Sequence, residues 1–157
     1  MVKKPLLEAL RSLDFTRDLH SAHIEKLASM AKEVSFSEGE TVFREGDLSH
    51  KLYLIQDGLV AVEIHVPGRG RMTVLTAGPG HLVGWTSLFP PQRKTASVHA
   101  VTATRAIVID GTELRAACNE DHELGYAIFW RLAEVISERL RATRLQLLDM
   151  FAPTAGA

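Results

Sequence analysis

From Val34 to Asp110 apolar residues alternate with polar ones at a period of two, and glycine-centred turns cut the stretch into short runs. The runs are Val34–Phe36, Thr41–Arg44, Lys51–Ile55, Leu59–His65, Met72–Thr76, Thr95–Val101 and Arg105–Ile109. Between them stand Glu38-Gly39-Glu40, Glu45-Gly46-Asp47, Asp57-Gly58, Pro67-Gly68-Arg69-Gly70 and Gly78-Pro79-Gly80. Strands this short and this often reversed predict an antiparallel β roll or jelly-roll barrel.

On either side the period lengthens to that of a helix. Residues 5–33 place Leu6, Leu7 and Leu10 on one face, then Leu19, His23, Leu27 and Met30 at spacings of three and four, with Asp18 or Ser21 as cap. After the roll, Asp110-Gly111-Thr112 opens a short helix over Thr112–Cys118. A stripe of Tyr126, Phe129, Leu132, Val135, Ile136, Leu140, Leu147 and Met150 then follows, longer than a small roll needs to cover itself. A homodimer through the helix at 123–150 is therefore expected. The predicted class is α+β, mainly β: a roll at 34–110 between N-terminal helices and a long C-terminal helix at 112–150. With no internal repeat and no linker, residues 1–157 are expected to form one domain.

Composition narrows the function classes. The chain has 157 residues, 46% of them hydrophobic and 24% charged, which suits a soluble core of its own and excludes disorder as the main state. Net charge is −1, so no overall basic field recruits nucleic acid. A single cysteine, Cys118, excludes an internal disulfide and a thiolate metal site, and fits a cytoplasmic location. The N-terminus has no signal-peptide pattern. Residues 72–92 carry no Asp, Glu, Lys or Arg, yet Gly78-Pro79-Gly80 and Pro90-Pro91 interrupt them, so strands and turns are expected there and no membrane span.

The most informative pattern is Phe36-x-x-Gly39-Glu40-x-x-Phe43-x-Glu45-Gly46-Asp47, then Leu52-Tyr53-Leu54-Ile55-x-x-Gly58-x-Val60-x-Val62. It resembles the cyclic nucleotide-binding domain shared by bacterial catabolite activators and by eukaryotic cyclic nucleotide-regulated kinases and channels. The likeness covers about residues 5–150. It implies a phosphate-binding cassette in which Gly-Glu-(Leu/Ile) opens a short helix whose N–H groups cradle the cyclic phosphate. In the family that Glu binds the ribose 2′-hydroxyl, and an Arg-(Ser/Thr)-Ala further on clamps the phosphate.

The matching positions here read Gly84-Trp85-Thr86-Ser87-Leu88-Phe89 and Lys94-Thr95-Ala96-Ser97-Val98. Trp85 stands where the family has its carboxylate, and Lys94 where it has its arginine. Lysine keeps the charge but loses the two-pronged fork, and Arg93 is a neighbouring substitute. Trp85 is either a stacking face over a ligand or a plug filling the ribose pocket. The resemblance also implies that Val62 and Val74 line the pocket, and that Arg139 and Thr143 reach the base from the C-terminal helix. The alternative for those last two is a polar flank on a dimer stripe.

Other chemistry is not expected. His20 and His23 stand three apart, and His81 and His99 both fall in the roll, but no third metal ligand accompanies either pair in sequence. The basic tip Gly68-Arg69-Gly70-Arg71 reads as a solvated turn. No nucleotide-binding loop, nucleophile elbow or HExxH motif occurs, so no catalysis, metal or cofactor is expected. The chain stops at Ala157, soon after the long helix, so the DNA-binding helix-turn-helix of the catabolite activators is not expected, nor is DNA as a partner. The reading is a sensor for a cyclic nucleotide such as cAMP, or a related anion, signalling to an unknown effector protein by movement of the C-terminal helix. The alternative is a degenerate fold that serves as a protein-interaction module.

Overall fold

Helix α1 (Lys4–Ser12) buries Leu6 and Leu10, and a 3-10 turn at Asp14–Thr16 leads to α2 (Ser21–Met30). The structure, a computed structural model, describes residues 4–90 and 93–151. The strands are β1 (Ala31–Phe36), β2 (Thr41–Phe43), β3 (Lys51–Asp57), β4 (Val60–Val66), β5 (Gly70–Ala77), β6 (Leu82–Val83), β7 (Ser97–Ala100) and β8 (Thr104–Asp110). Helices α3 (Gly111–Glu120) and α4 (His122–Phe151) close the chain.

The strands pair antiparallel throughout, in two four-stranded sheets of order β1-β8-β3-β6 and β2-β7-β4-β5. Pleating sends alternate residues to opposite faces, and at β3 and β8 both faces of the first sheet are covered. On β3, Leu52 and Leu54 join the core beneath the helices, while Tyr53 and Ile55 join the core between the sheets. On β8, Ile107 and Ile109 face the helices and Ala106 the roll. This explains why β3 reads as an unbroken apolar run while β1, with exposed Lys32, Glu33 and Ser35, does not.

Several boundaries move from their expected places. Helix α2 stops at Met30 and β1 starts at Ala31, because Ala31 is already extended and paired with Ile109. The expected cap at Asp18 or Ser21 is not made. His20 precedes the helix without a side-chain cap, and the Asp18 carboxylate instead binds Arg131 at 2.7 Å. Within the uncharged stretch, where strands and turns are expected, the two-residue strand β6 is an addition to the runs named above; pairing of Tyr53 with Val83 and Leu54 with Leu82 creates it. At α3 the Asp110 carboxylate accepts from the N–H groups of Thr112 and Glu113, the capping that residue type favours. Cys118 is buried where α3 meets α4, and burial pushes its thiol up to about 11.

The expected C-terminal stripe divides between two faces of α4. Leu132 is buried in the helix-side core and Val135 and Ile136 pack against it. A different set, Tyr126, Trp130, Ala133, Ser137, Leu140, Arg144, Leu147 and Phe151, is exposed along the whole helix at alternating spacings of four and three. Among the described residues no helix is long and apolar enough to cross a membrane.

Candidate functional site

Gly84 begins the cassette in the left-handed region, with φ at 83°, and leads into a 3-10 turn at Trp85–Leu88. A Cβ at this position would stand 2.9 Å from the Lys94 ammonium and 3.0 Å from the Lys51 carbonyl oxygen. Glycine is thus required both by backbone and by space.

What crowds Gly84 is the centre of the site. The Lys94 Nζ donates to the Lys51 carbonyl at 2.6 Å, to the Ser87 Oγ at 2.5 Å and to the Gly84 carbonyl at 3.2 Å. It also lies 4.5 Å from the centre of the Phe43 ring, on its face. Lys94 is only 2% exposed, and no carboxylate pairs with it among the described residues. An ammonium has three protons, and here three neutral oxygens surround it. Burial in that company pushes its pKa down to about 8. The family's clamp position therefore carries a cation turned inward, tying the cassette turn to β3. Ser87, which sequence reasoning left out of the ligand set, is the residue that completes this tie. Its signal was its place inside the Gly84–Phe89 motif.

The other expected ligand residues disperse. Arg93 is exposed and donates to the Gly46 carbonyl at 2.6 Å. Thr95 is exposed, Thr86 and Ala96 half-buried. Trp85 packs against the helix-side core, edge-on to Phe89 at 6.2 Å, and Phe89 meets Phe129 of α4 at the same distance. The indole is not among the side chains of the inter-sheet core; it lies half-buried on the helix-side core. Val62 packs with the inter-sheet core, and the Val74 carbonyl accepts from Gln146 Nε2 at 2.9 Å. Thr143 is exposed and donates to the Arg139 carbonyl. Arg139 donates to the Leu82 carbonyl and faces a different space.

That space is a cavity of about 420 Å³ between the Asp14–Thr16 turn, the β5–β6 connection and α4. Of the expected ligand residues only Arg139 lines it. A second recess of about 500 Å³ lies under the β2–β3 connection and shares Phe43 and Lys51 with the surroundings of Lys94. Three histidines each meet one carboxylate: His20 lies 3.0 Å from Glu123, His23 3.2 Å from Asp121 and His99 2.7 Å from Glu63. No cluster of three or more His, Cys, Asp or Glu suited to a metal occurs among the described residues.

A two-sheet roll with a glycine-led turn, a cation further along and a long closing helix is the architecture of a cyclic nucleotide-binding domain. The family model of that domain matches residues 33–121, and the chain belongs to this family. It is 31% identical over 144 residues to a CRP-like cAMP-activated global transcriptional regulator of Mycobacterium tuberculosis, a match covering 91% of this chain and 62% of the regulator. The chain thus spans less than two thirds of that relative. Among solved structures, the catabolite activator protein of Thermus thermophilus superposes with a TM-score of 0.71 at 25% identity, over 87% of this chain and 62% of the other. A cyclic nucleotide-binding domain from Methylobacillus flagellatus gives a TM-score of 0.81 over 96% of this chain and 84% of its own; at 23% identity it shows the shared fold alone.

Proposed function

We propose that this chain is a non-catalytic, cytoplasmic sensor module whose ligand is a cyclic nucleotide of the cAMP type or a related anion, held between residues 84–96 and α4. The observation that carries this reading is the convergence of Gly84, Ser87 and Lys94 on one point. A ligand phosphate competes with the Lys51 and Gly84 carbonyls for the Lys94 ammonium, exchanging neutral acceptors for a charged one. Val62 and Val74 line the sugar and base, and α4 supplies Arg139 and Thr143 once it has shifted.

Signal leaves through the rings. Trp85, Phe89 and Phe129 form a contact chain from the cassette turn to α4, so movement of the turn is passed to the helix. The exposed stripe on α4 pairs with a second copy of the chain, and an effector protein reads the helix position. The relatives' regulatory character supports this reading.

One observation favours a second reading. With three protein oxygens around its ammonium, Lys94 has a structural task without any ligand, as in a module that only binds other proteins. Thermal unfolding with and without millimolar cAMP or cGMP separates the two. Ligand at 100 times its Kd stabilises by ~2.7 kcal/mol, which raises Tm by roughly 5–10 °C in a chain of this size. A shift that Lys94→Met removes supports the sensor; no shift with either nucleotide leaves the interaction module.

A further inference from the structure

We propose that the cavity between the Asp14–Thr16 turn, the β5–β6 connection and α4 is a second binding site, for a small organic monoanion with an apolar body. Its volume of about 420 Å³ is that of a small-molecule pocket. Phe15, Leu75, Leu82, Val135 and Ala142 supply apolar walls. The charge is supplied by two arginines in different circumstances. Arg131, 3% exposed, binds Asp18 at 2.7 Å and Glu134 at 2.8 Å, yet its Nε–H is buried with no acceptor among the described residues. Arg139 is largely enclosed, donates only to the Leu82 carbonyl, and has no carboxylate within ion-pair distance among the described residues.

A half-buried guanidinium without a counter-charge is poorly compensated, and with one carbonyl partner Arg139 keeps N–H donors free to meet an entering anion. Burial accordingly pushes the Arg139 pKa down to about 10. An anion entering from solvent supplies the missing charge. His81 adds a donor: its Nδ1 accepts from the Gly78 N–H at 3.1 Å, which leaves Nε2 protonated in the neutral ring. The rim carries Asp14, Glu134 and Glu138. Asp14 and Glu134 are engaged by Arg17 and Arg131 respectively, and together the three carboxylates repel a multiply charged ligand while leaving room for one negative charge. A carboxylate or sulfonate on a ring or short chain fits; a nucleoside triphosphate does not.

This site contains none of the cassette residues 84–96 but shares Arg139 with the proposed nucleotide site, and its test does not depend on a cyclic nucleotide being bound. The probe is 2-naphthoate, titrated calorimetrically into the full chain, with neutral 2-naphthamide as its match. Naphthoate is expected to bind one per chain and at least about tenfold more tightly than the amide, the discrimination a single charge-assisted pair gives. Arg139→Gln is expected to abolish that preference. Ala142→Trp, which fills the cavity from an exposed helical position, is expected to abolish binding of both while leaving Tm as it was. Equal binding of acid and amide, naphthoate binding that survives Ala142→Trp, or no saturable binding up to about 5 mM overturns the proposal.

Discussion

The Lys94 ammonium and the Ser87 hydroxyl stand 2.5 Å apart, and both residues are 2% exposed or less. Ser87 Oγ in turn lies 2.7 Å from the Lys51 carbonyl, which Lys94 also reaches. The cassette turn is thus fastened to β3 through one cation and one hydroxyl.

Lys94→Met removes the ammonium that the Lys51 and Gly84 carbonyls and the Ser87 hydroxyl share, although Ser87 still donates to both carbonyls. Loss of these charge-assisted bonds, with each carbonyl keeping one donor, is expected to cost roughly 1–3 kcal/mol by urea denaturation. Lys94→Arg should not rescue it, because the guanidinium is larger and Gly84 leaves no room beside Nζ. A wild-type midpoint in Lys94→Met would show the tie to be dispensable.

Two buried groups oppose each other at alkaline pH. Lys94 falls from its ordinary 10.5 to about 8, so between those values the unfolded chain holds more protons and stability rises with pH. Cys118 rises from 9.0 to about 11, so between those values the folded chain holds the proton and stability falls with pH. Lys94→Met should remove the rise and leave the fall; Cys118→Ala should do the reverse. Chemical denaturation at intervals from pH 7 to about 10.5 reads both slopes.

Gly39 and Gly84 share a φ of 83°, but an added Cβ meets nothing within 4 Å at Gly39 and the Lys94 ammonium at 2.9 Å at Gly84. Gly39→Ala should therefore cost only the left-handed backbone penalty, ~1–2 kcal/mol. Gly84→Ala should cost that and the disruption of the tie as well. Equal losses in a side-by-side melt would show that the close approach at Gly84 carries no weight.

The exposed stripe on α4 predicts its own variants. Leu140→Lys together with Leu147→Lys places charge where a second copy would pack and should give a monomer by sedimentation, with Tm of the roll little changed. Arg144 sits on the same stripe, where a second copy would bury its charge, so Arg144→Leu should tighten association. A wild-type chain that sediments as a monomer at micromolar concentration excludes the pairing.

The roll was legible because its signals are local. Alternation, Gly39, Gly46, Gly58 and Gly84 at turns, and Asp110 before a helix each act within a few residues, and the structure has them in those roles. The long C-terminal helix was legible too, but its stripe was assembled from residues of two faces. Periodicity reports that a residue is apolar and where it falls on the helix, not which face the core will claim. Leu132 and Leu140 are alike in sequence; only packing on the helix-side core buries the first and leaves the second in water.

The cassette shows the same division. Sequence determined that a glycine, a hydroxyl and a cation recur at fixed spacing from 84 to 94, and so where such chemistry would be. Tertiary structure decided which way each points: Lys94 inward onto Lys51 and Ser87, Arg93 outward onto Gly46, Trp85 onto Phe89 and the helix-side core. It also brought Phe15, His81 and Arg139 around one cavity, residues far apart along the chain. Side-chain direction and long-range proximity depend on how sheets and helices stack, and no short window of sequence contains that stacking.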